Sequence, residues 1–196
     1  METTGYYMKI IDKIDEQFRN LKTNYPEWLV VHHAKAPANQ SFDIIKNYHI
    51  KHRKFDTIGY HYLITMDGTI YQGRPDLMHG AHVREQNINK KSLGVCLTGD
   101  FDVFMPTTEQ INSLRELLDT KRKQYYIPPD RIVPHKFFLG NPPYKSCFGS
   151  NLSYDWARNL VKTNGKIEEA ASIPVPITTS MVEKLYALLK KFGLIK

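Results

Sequence analysis

Buried-strand patterns alternate with amphipathic helical patterns along most of the chain. The runs WLVVHHA over 28–34 and SLGVCLTGDF over 92–101 are apolar and rich in branched residues, which is typical of buried strands. Helical spacing of apolar residues follows Ser41, a candidate N-cap of a helix over 42–54 with Phe42, Ile45, Tyr48 and His49 on one side. A second run of apolar residues at helical spacing follows Thr107, which forms a capping-box pattern with Gln110. These patterns predict two strands and two helices.

The remaining patterns complete an α/β architecture. The runs GYHYLIT and TIYQG flank a turn at Asp67-Gly68 and predict a β-hairpin. DRIVPH predicts a short strand, and SYDWARNLVK predicts a further helix. An amphipathic helix is predicted before Pro26 from the spacing of Ile10, Ile11, Ile14, Phe18 and Leu21. Because the hairpin is antiparallel while strands and helices alternate, we expect an α/β fold with a central mixed β-sheet flanked by α-helices.

The last part of the chain differs in composition. Residues 163–180 contain glycine, proline and small polar residues, which is typical of a linker, and MVEKLYALLKKFGLIK predicts an amphipathic helix. One helix cannot form a hydrophobic core alone. We therefore expect a main domain over 1–163 and, over 164–196, a linker and a helix that packs on the domain, on a target or on another copy of the chain in self-association.

Charge and hydropathy narrow the possible partners. The 196 residues include 27 Lys and Arg against 20 Asp and Glu, a formal charge of +7 that suits an anionic partner. The basic runs at 51–54 and 121–123 are not interleaved with aromatics, so we expect no nucleic acid. No stretch approaches the ~18 apolar residues of a membrane span. The first residues lack the pattern of a signal peptide, so we expect synthesis in the cytoplasm.

Candidate metal ligands stand at the ends of the predicted strands. His32 and His33 end one strand, His135 ends another, and Cys147 follows in a loop whose glycine and prolines exclude a helix. Two imidazoles and one thiolate with an open position are typical of a catalytic zinc site. Taken singly, each residue is more often structural than metal-binding. Cys96 lies in an apolar run, so we expect a buried thiol rather than a disulfide with Cys147.

The sequence resembles the zinc-dependent N-acetylmuramoyl-L-alanine amidases of the peptidoglycan-recognition-protein superfamily, in particular those of phage endolysins. The resemblance rests on VVHHA at 30–34, IGYHYLITMDGTIYQGRP at 58–75, HGAHVREQNINKKSLGVCLTGDFD at 79–102 and PHKFFLGNPPYKSC at 134–147. It implies the amidase fold, bacterial peptidoglycan as the partner and one catalytic Zn²⁺. The implied reaction is hydrolysis of the amide bond between N-acetylmuramic acid and L-alanine.

The resemblance also implies roles for individual residues. The zinc ligands are His32, His135 and Cys147, whereas His33 matches a position that is not a ligand. The catalytic residues are Tyr60 and Lys145. Three residues lie in runs that line the substrate groove in the family: Arg74, His82 and Asn87. The chain departs from the family at Phe148-Gly149, where proline and glycine are usual, and in a longer loop between His135 and Cys147.

Three alternatives to the amidase remain open at this point. One is a non-catalytic peptidoglycan-binding protein of the same fold, although such relatives typically lack the cysteine ligand that Cys147 matches. Another is a zinc amidase that acts on soluble muropeptides or another amide. Charge alone suggests a nucleic-acid binder. If the chain is an endolysin, we expect it to reach the cell wall after holin-type release or lysis.

Overall fold

Six strands form one mixed sheet in the computed structural model, which describes residues 8–162. Their spatial order is β1-β4-β3-β5-β2-β6, and only β3 and β4 pair in an antiparallel manner. The strands are β1 (Ile10–Asp12), β2 (Trp28–His33), β3 (Tyr62–Ile64), β4 (Ile70–Gln72), β5 (Ser92–Leu97) and β6 (Ile132–Pro134). The predicted mixed sheet and its hairpin at Asp67-Gly68 are confirmed.

Three α-helices lie against this sheet in the described part of the chain: α1 (Phe42–Lys51), α2 (Thr108–Gln124) and α3 (Trp156–Lys162). The side chain of Ser41 accepts a hydrogen bond from the Ile44 amide and caps α1. Thr107 and Gln110 form the predicted capping box of α2. The buried side of α1 is narrower than predicted, because Tyr48 is 53% exposed. Short 3₁₀ turns occur at Glu16–Phe18, Glu85–Lys90, Pro129–Arg131 and His135–Phe138.

The prediction of an N-terminal helix is wrong. Ile10–Asp12 forms an edge strand that pairs in parallel with β4, with Ile10 opposite Ile70, and only Glu16–Phe18 is helical. The amide of Lys13 extends the pairing by donating to the Gln72 carbonyl at 2.8 Å. A distant strand therefore satisfies the backbone of this segment, and tertiary pairing overrides the local helical spacing.

Alternate residues of β2 and β5 face different sides of the sheet, as the two-residue period of a strand requires. On one side, Leu29, Val31 and Val95 join the core formed with α2 and α3. On the other side, Val30 and Cys96 belong to two smaller apolar clusters. Positions 32 and 33 of β2 therefore point to opposite sides.

A buried ionic network ties α2 to the hairpin. Asp76 accepts hydrogen bonds from Tyr62 Oη at 2.5 Å, Lys121 Nζ at 2.7 Å and Tyr125 Oη at 2.9 Å. Burial and the neighbouring Asp76 raise the pKa of Tyr62, so the hydroxyl stays protonated and donates. The network satisfies polar groups that would be costly to bury alone.

None of the helices within residues 8–162 has the length and apolarity that crossing a membrane requires. The predicted linker and helix over 164–196 lie outside the described residues, so the proposed domain boundary and self-association stay predictions.

Candidate metal-binding site

A cavity of about 910 Å³ opens beside the carboxyl end of β2. It lies where loops and strand ends meet, the usual place for chemistry in an α/β fold. Six of the eight predicted site residues line it: His32, Tyr60, His82, His135, Lys145 and Cys147. Two others, Arg74 and Asn87, are not among the lining residues.

His32, His135 and Cys147 come together in this cavity. Each offers one potential ligand atom, and these atoms all lie within 4.8 Å of one another. Strands β2 and β6 are paired, with Val31 opposite Pro134, and each of these two residues is followed by a histidine, His32 in β2 and His135 directly after β6. The two imidazole centroids are 4.7 Å apart, and Cys147 Sγ is 3.7 Å from His32 Nδ1. The donor set and its spacing fit a divalent metal of the zinc type.

A chain of hydrogen bonds fixes the tautomer of His32. The Ser92 hydroxyl donates to the Ile88 carbonyl at 2.7 Å, so its oxygen accepts from His82 Nε2 at 3.3 Å. In neutral His82 the other nitrogen, Nδ1, is then an acceptor, and it lies 2.9 Å from His32 Nε2. His32 therefore carries its proton on Nε2, and its Nδ1 lone pair faces Cys147.

The ring of His82 occupies a slot that requires two glycines. A Cβ atom on Gly94 would lie 2.6 Å from Cγ and Cδ2 of this ring, and one on Gly80 would lie 2.3 Å from Cδ2. Both distances are well below a normal carbon–carbon contact of about 3.5 Å. His82 was predicted as a substrate-binding residue, and that role stays a prediction. In the structure its ring accepts a hydrogen bond from His32.

Electrostatics keep the candidate ligands neutral in the protein without a metal. Burial lowers the pKa of His32 and His135, so both imidazoles are uncharged at neutral pH, as metal coordination needs. Burial raises the pKa of the Cys147 thiol to about 12. A bound cation would favour the thiolate instead, which is the form that ligates.

Two charged side chains, Lys136 and Asp102, hold the loop that carries Cys147. Lys136 Nζ donates to the Gly149 and Leu152 carbonyls at 2.8 Å, and its amide donates to the Cys147 carbonyl. Asp102 accepts from Ser146 Oγ at 2.6 Å and from the Ser150 amide at 2.7 Å. The loop also begins with a 3₁₀ turn over His135–Phe138, which ends before the glycine and prolines from which the absence of a helix was predicted.

Tyr60 and Lys145 both line the cavity that holds the candidate ligands. The Tyr60 ring centroid is 5.2 Å from that of His32. Burial raises the pKa of Tyr60 well above its usual value, so its hydroxyl is protonated at neutral pH. Lys145 is exposed at the rim, and its Nζ lies 5.1 Å from the Tyr144 ring centroid. Their catalytic roles stay predictions.

Arg74 and Asn87 do not line the cavity, although both were predicted to line the substrate groove. Arg74 is 2% exposed and donates to the Ile58 and His79 carbonyls, so its guanidinium braces the backbone. Asn87 is exposed in a turn with φ 56°. The cavity is lined instead by Asn89, whose side-chain oxygen accepts from the amides of residues 82 and 83. The substrate-binding roles of Arg74 and Asn87 stay predictions.

A second group of possible ligands lies on the other side of the sheet. His33, Asp100 and Asp102 also have ligand atoms within 4.8 Å of one another. His33 Nδ1 accepts from the Phe101 amide at 3.0 Å, and Asp102 is held by Lys35 Nζ at 2.8 Å as well as by Ser146 and Ser150. These hydrogen bonds connect the surrounding loops, which explains why the three side chains lie close to one another.

Cys96 and Cys147 are both free thiols.

Comparison with protein families gives a match over most of this domain. The model of the family described as "N-acetylmuramoyl-L-alanine amidase" matches residues 22–150. The endolysin of Enterobacteria phage T3 is 35% identical over 108 residues, which are 50% of this chain and 68% of that protein. Peptidoglycan-recognition protein 2 of Holotrichia diomphalia is 33% identical over 100 residues, 47% of this chain and 52% of that protein. The chain thus spans little more than half the length of several curated relatives that it matches.

Solved structures show the same fold. The amidase LysC of Clostridium intestinale superposes with a TM-score of 0.67 at 27% identity, covering 79% of this chain and 97% of that one. An endolysin from a bacteriophage of Thermus scotoductus superposes with a TM-score of 0.64 at 26% identity, covering 78% and 99%.

Proposed function

Because the chain belongs to the N-acetylmuramoyl-L-alanine amidase family, we propose that it hydrolyses the amide bond between N-acetylmuramic acid and L-alanine in bacterial peptidoglycan. The observation that carries this proposal is the convergence of His32, His135 and Cys147 within 4.8 Å in a cavity shared with Tyr60 and Lys145. A protein that only binds peptidoglycan has no need of such a ligand set.

His32, His135 and Cys147 would hold one Zn²⁺ in this cavity. The two neutral imidazoles and the thiol are the nitrogen and sulfur donors that zinc prefers, and three protein ligands leave a position for water or substrate. When bound, zinc supplies a nucleophile at neutral pH, since it lowers the pKa of water to ~7, and polarises the substrate carbonyl. His82 keeps the Nδ1 lone pair of His32 directed at the site.

Lys145 and Tyr60 supply the charge and the proton donor that amide hydrolysis requires. In our proposal the Lys145 ammonium stabilises negative charge that develops on the carbonyl oxygen. Tyr60, whose hydroxyl stays protonated, donates a hydrogen bond that orients the attacking water or the carbonyl. The two residues come from different loops and line the same cavity.

Charge and similarity support the proposed substrate and setting. A formal charge of +7 favours the anionic polymers of a bacterial wall. The similarity to the phage T3 endolysin and to LysC supports an endolysin-like role in wall lysis. Several similar proteins are named peptidoglycan-recognition proteins, which makes binding without cleavage the second candidate function.

A digestion assay separates hydrolysis from binding. Purified full-length protein is incubated with dye-labelled sacculi, and released soluble dye and cosedimented protein are measured in the same tubes. The proposal predicts release by the wild type with Zn²⁺, loss of release after chelation, and recovery when Zn²⁺ is restored. The Cys147→Ala variant is expected to cosediment without releasing dye. Cosedimentation of the wild type without release under any metal condition would favour the recognition function.

A further inference from the structure

Glu85 is the acidic residue among those that line the cavity. Its carboxylate faces both ends of the loop that runs from His135 to Cys147. Oε1 accepts a hydrogen bond from Tyr144 Oη at 2.6 Å, and Oε2 lies 3.7 Å from His135 Nε2. One side chain from a separate segment thus touches a candidate metal ligand and the end of the loop that carries another.

The two facing atoms are buried and otherwise unpaired. Within residues 8–162, neither Glu85 Oε2 nor His135 Nε2 has a hydrogen-bond partner. A donor and an acceptor that are both buried are costly to leave unpaired, so each needs the other. Their separation exceeds the usual limit of ~3.2 Å for an N–H···O bond by only about 0.5 Å, which a small rotation of either side chain removes.

We propose that Glu85 is a positioning residue for His135: its Oε2 accepts the Nε2 proton and so keeps the Nδ1 lone pair free for the metal. This inference rests on the proposed function. Carboxylate partners of metal-bound histidines commonly fix the tautomer and the ring orientation in this way. His32 is treated alike in this structure, because His82 accepts the proton of its Nε2.

Tyr144 holds Glu85 in place for this role. With Oε1 occupied by the Tyr144 hydroxyl, the carboxylate cannot rotate freely, and Oε2 stays directed at His135. The ring of Tyr144 also lies under the ammonium of Lys145 at 5.1 Å. The Glu85 carboxylate therefore contacts both His135, a candidate ligand, and Tyr144, the residue next to Lys145 in the loop.

The test measures Zn²⁺ binding directly. Full-length wild type, Glu85→Gln, Glu85→Ala and Tyr144→Phe are titrated with Zn²⁺ against a competing chelator, and urea unfolding confirms that each variant is folded. Glu109→Gln serves as the charge-matched control, because Glu109 is exposed and does not line the cavity. We expect Zn²⁺ affinity to fall about 10- to 100-fold in both Glu85 variants, less in Tyr144→Phe and not in Glu109→Gln.

A spectroscopic readout separates positioning from a merely structural role. Nitrogen-15 NMR of the metal-free protein reports which imidazole nitrogen carries the proton. We expect His135 to be the Nε2–H tautomer in the wild type and a mixture in Glu85→Ala. Wild-type affinity and an unchanged tautomer in folded Glu85→Ala would overturn the inference alone. A wild type that binds no Zn²⁺ would overturn the proposed metal centre, and the inference with it.

Discussion

Replacing Gly94 by alanine perturbs the support of His32 without touching a candidate ligand. The new Cβ would lie 2.6 Å from Cγ and Cδ2 of His82 and 2.8 Å from its Nδ1. Since carbon atoms make their best contacts at about 3.5–4.0 Å, the ring has to move by roughly 1 Å. Gly94 lies in the middle of β5, which is paired on both sides, so its backbone cannot yield easily.

A ring displacement of this size breaks the 2.9 Å hydrogen bond between His82 and His32. Overpacking of this kind costs about 1–3 kcal/mol of unfolding free energy. Loss of the partner of a metal-binding histidine lowers metal affinity about 10- to 100-fold, which corresponds to about 1.4–2.7 kcal/mol of binding free energy. Urea unfolding of the metal-free protein and a Zn²⁺ titration measure the two effects separately.

Gly73→Ala is the matched control for this experiment. Its Cβ would lie 2.3 Å from Ile58 Cγ2 and 3.2 Å from the Phe42 ring, in a packed region that does not line the cavity. We expect a comparable loss of stability with unchanged Zn²⁺ affinity. If Gly94→Ala keeps wild-type Zn²⁺ affinity, or if both variants lose affinity equally, the assigned support of His32 by His82 is refuted.

Further predictions concern catalysis, the buried network and acid stability. Lys145→Gln should lower kcat about a hundredfold, or ~3 kcal/mol, at unchanged Zn²⁺ affinity, and a smaller than threefold change in steady-state assays would argue against its role. Asp76→Ala leaves buried Lys121 without its carboxylate and should cost about 3–5 kcal/mol in urea unfolding, whereas a loss below 1 kcal/mol would contradict the network. Burial lowers the pKa of His49 and of His61 to about 4, so between pH 6.5 and 4 each is neutral when folded and charged when unfolded. The unfolding free energy should therefore fall as the pH falls through this window, by up to about 3 kcal/mol per histidine, and a flat profile in denaturant titrations would contradict the shifts.

The predictable parts of the fold are those where local chemistry and tertiary structure agree. The capping box at Thr107 starts α2 because its bonds lie within one turn, and Gly68 makes the hairpin turn with φ 79°. The segment around Ile10 was mispredicted because its partner strand β4 lies about 60 residues away, and nothing in the local spacing reveals that pairing.

The candidate ligands can be predicted from the sequence, whereas the residues that hold them and their loop in place cannot. Strand alternation separates His32 from His33, because the side chains of two successive strand residues point to opposite sides of the sheet. The sequence did not predict roles for Glu85, Lys136 and Asp102, because the contacts of their side chains depend on the conformation of the loops and not on local sequence patterns. A weak signal existed for Lys136, a lysine enclosed between a histidine and two phenylalanines, which suggests burial of part of its side chain.

The most direct test of the central claim is mass spectrometry of the fragments released from intact peptidoglycan, with Cys147→Ala in parallel. We predict new free amino termini on L-alanine, absent from the Cys147→Ala digest, with the glycan strands uncut. New reducing sugar ends or cleaved peptide cross-links would mean that the wall is the substrate but another bond is cut. Equal release by Cys147→Ala would contradict the metal centre on which the account depends.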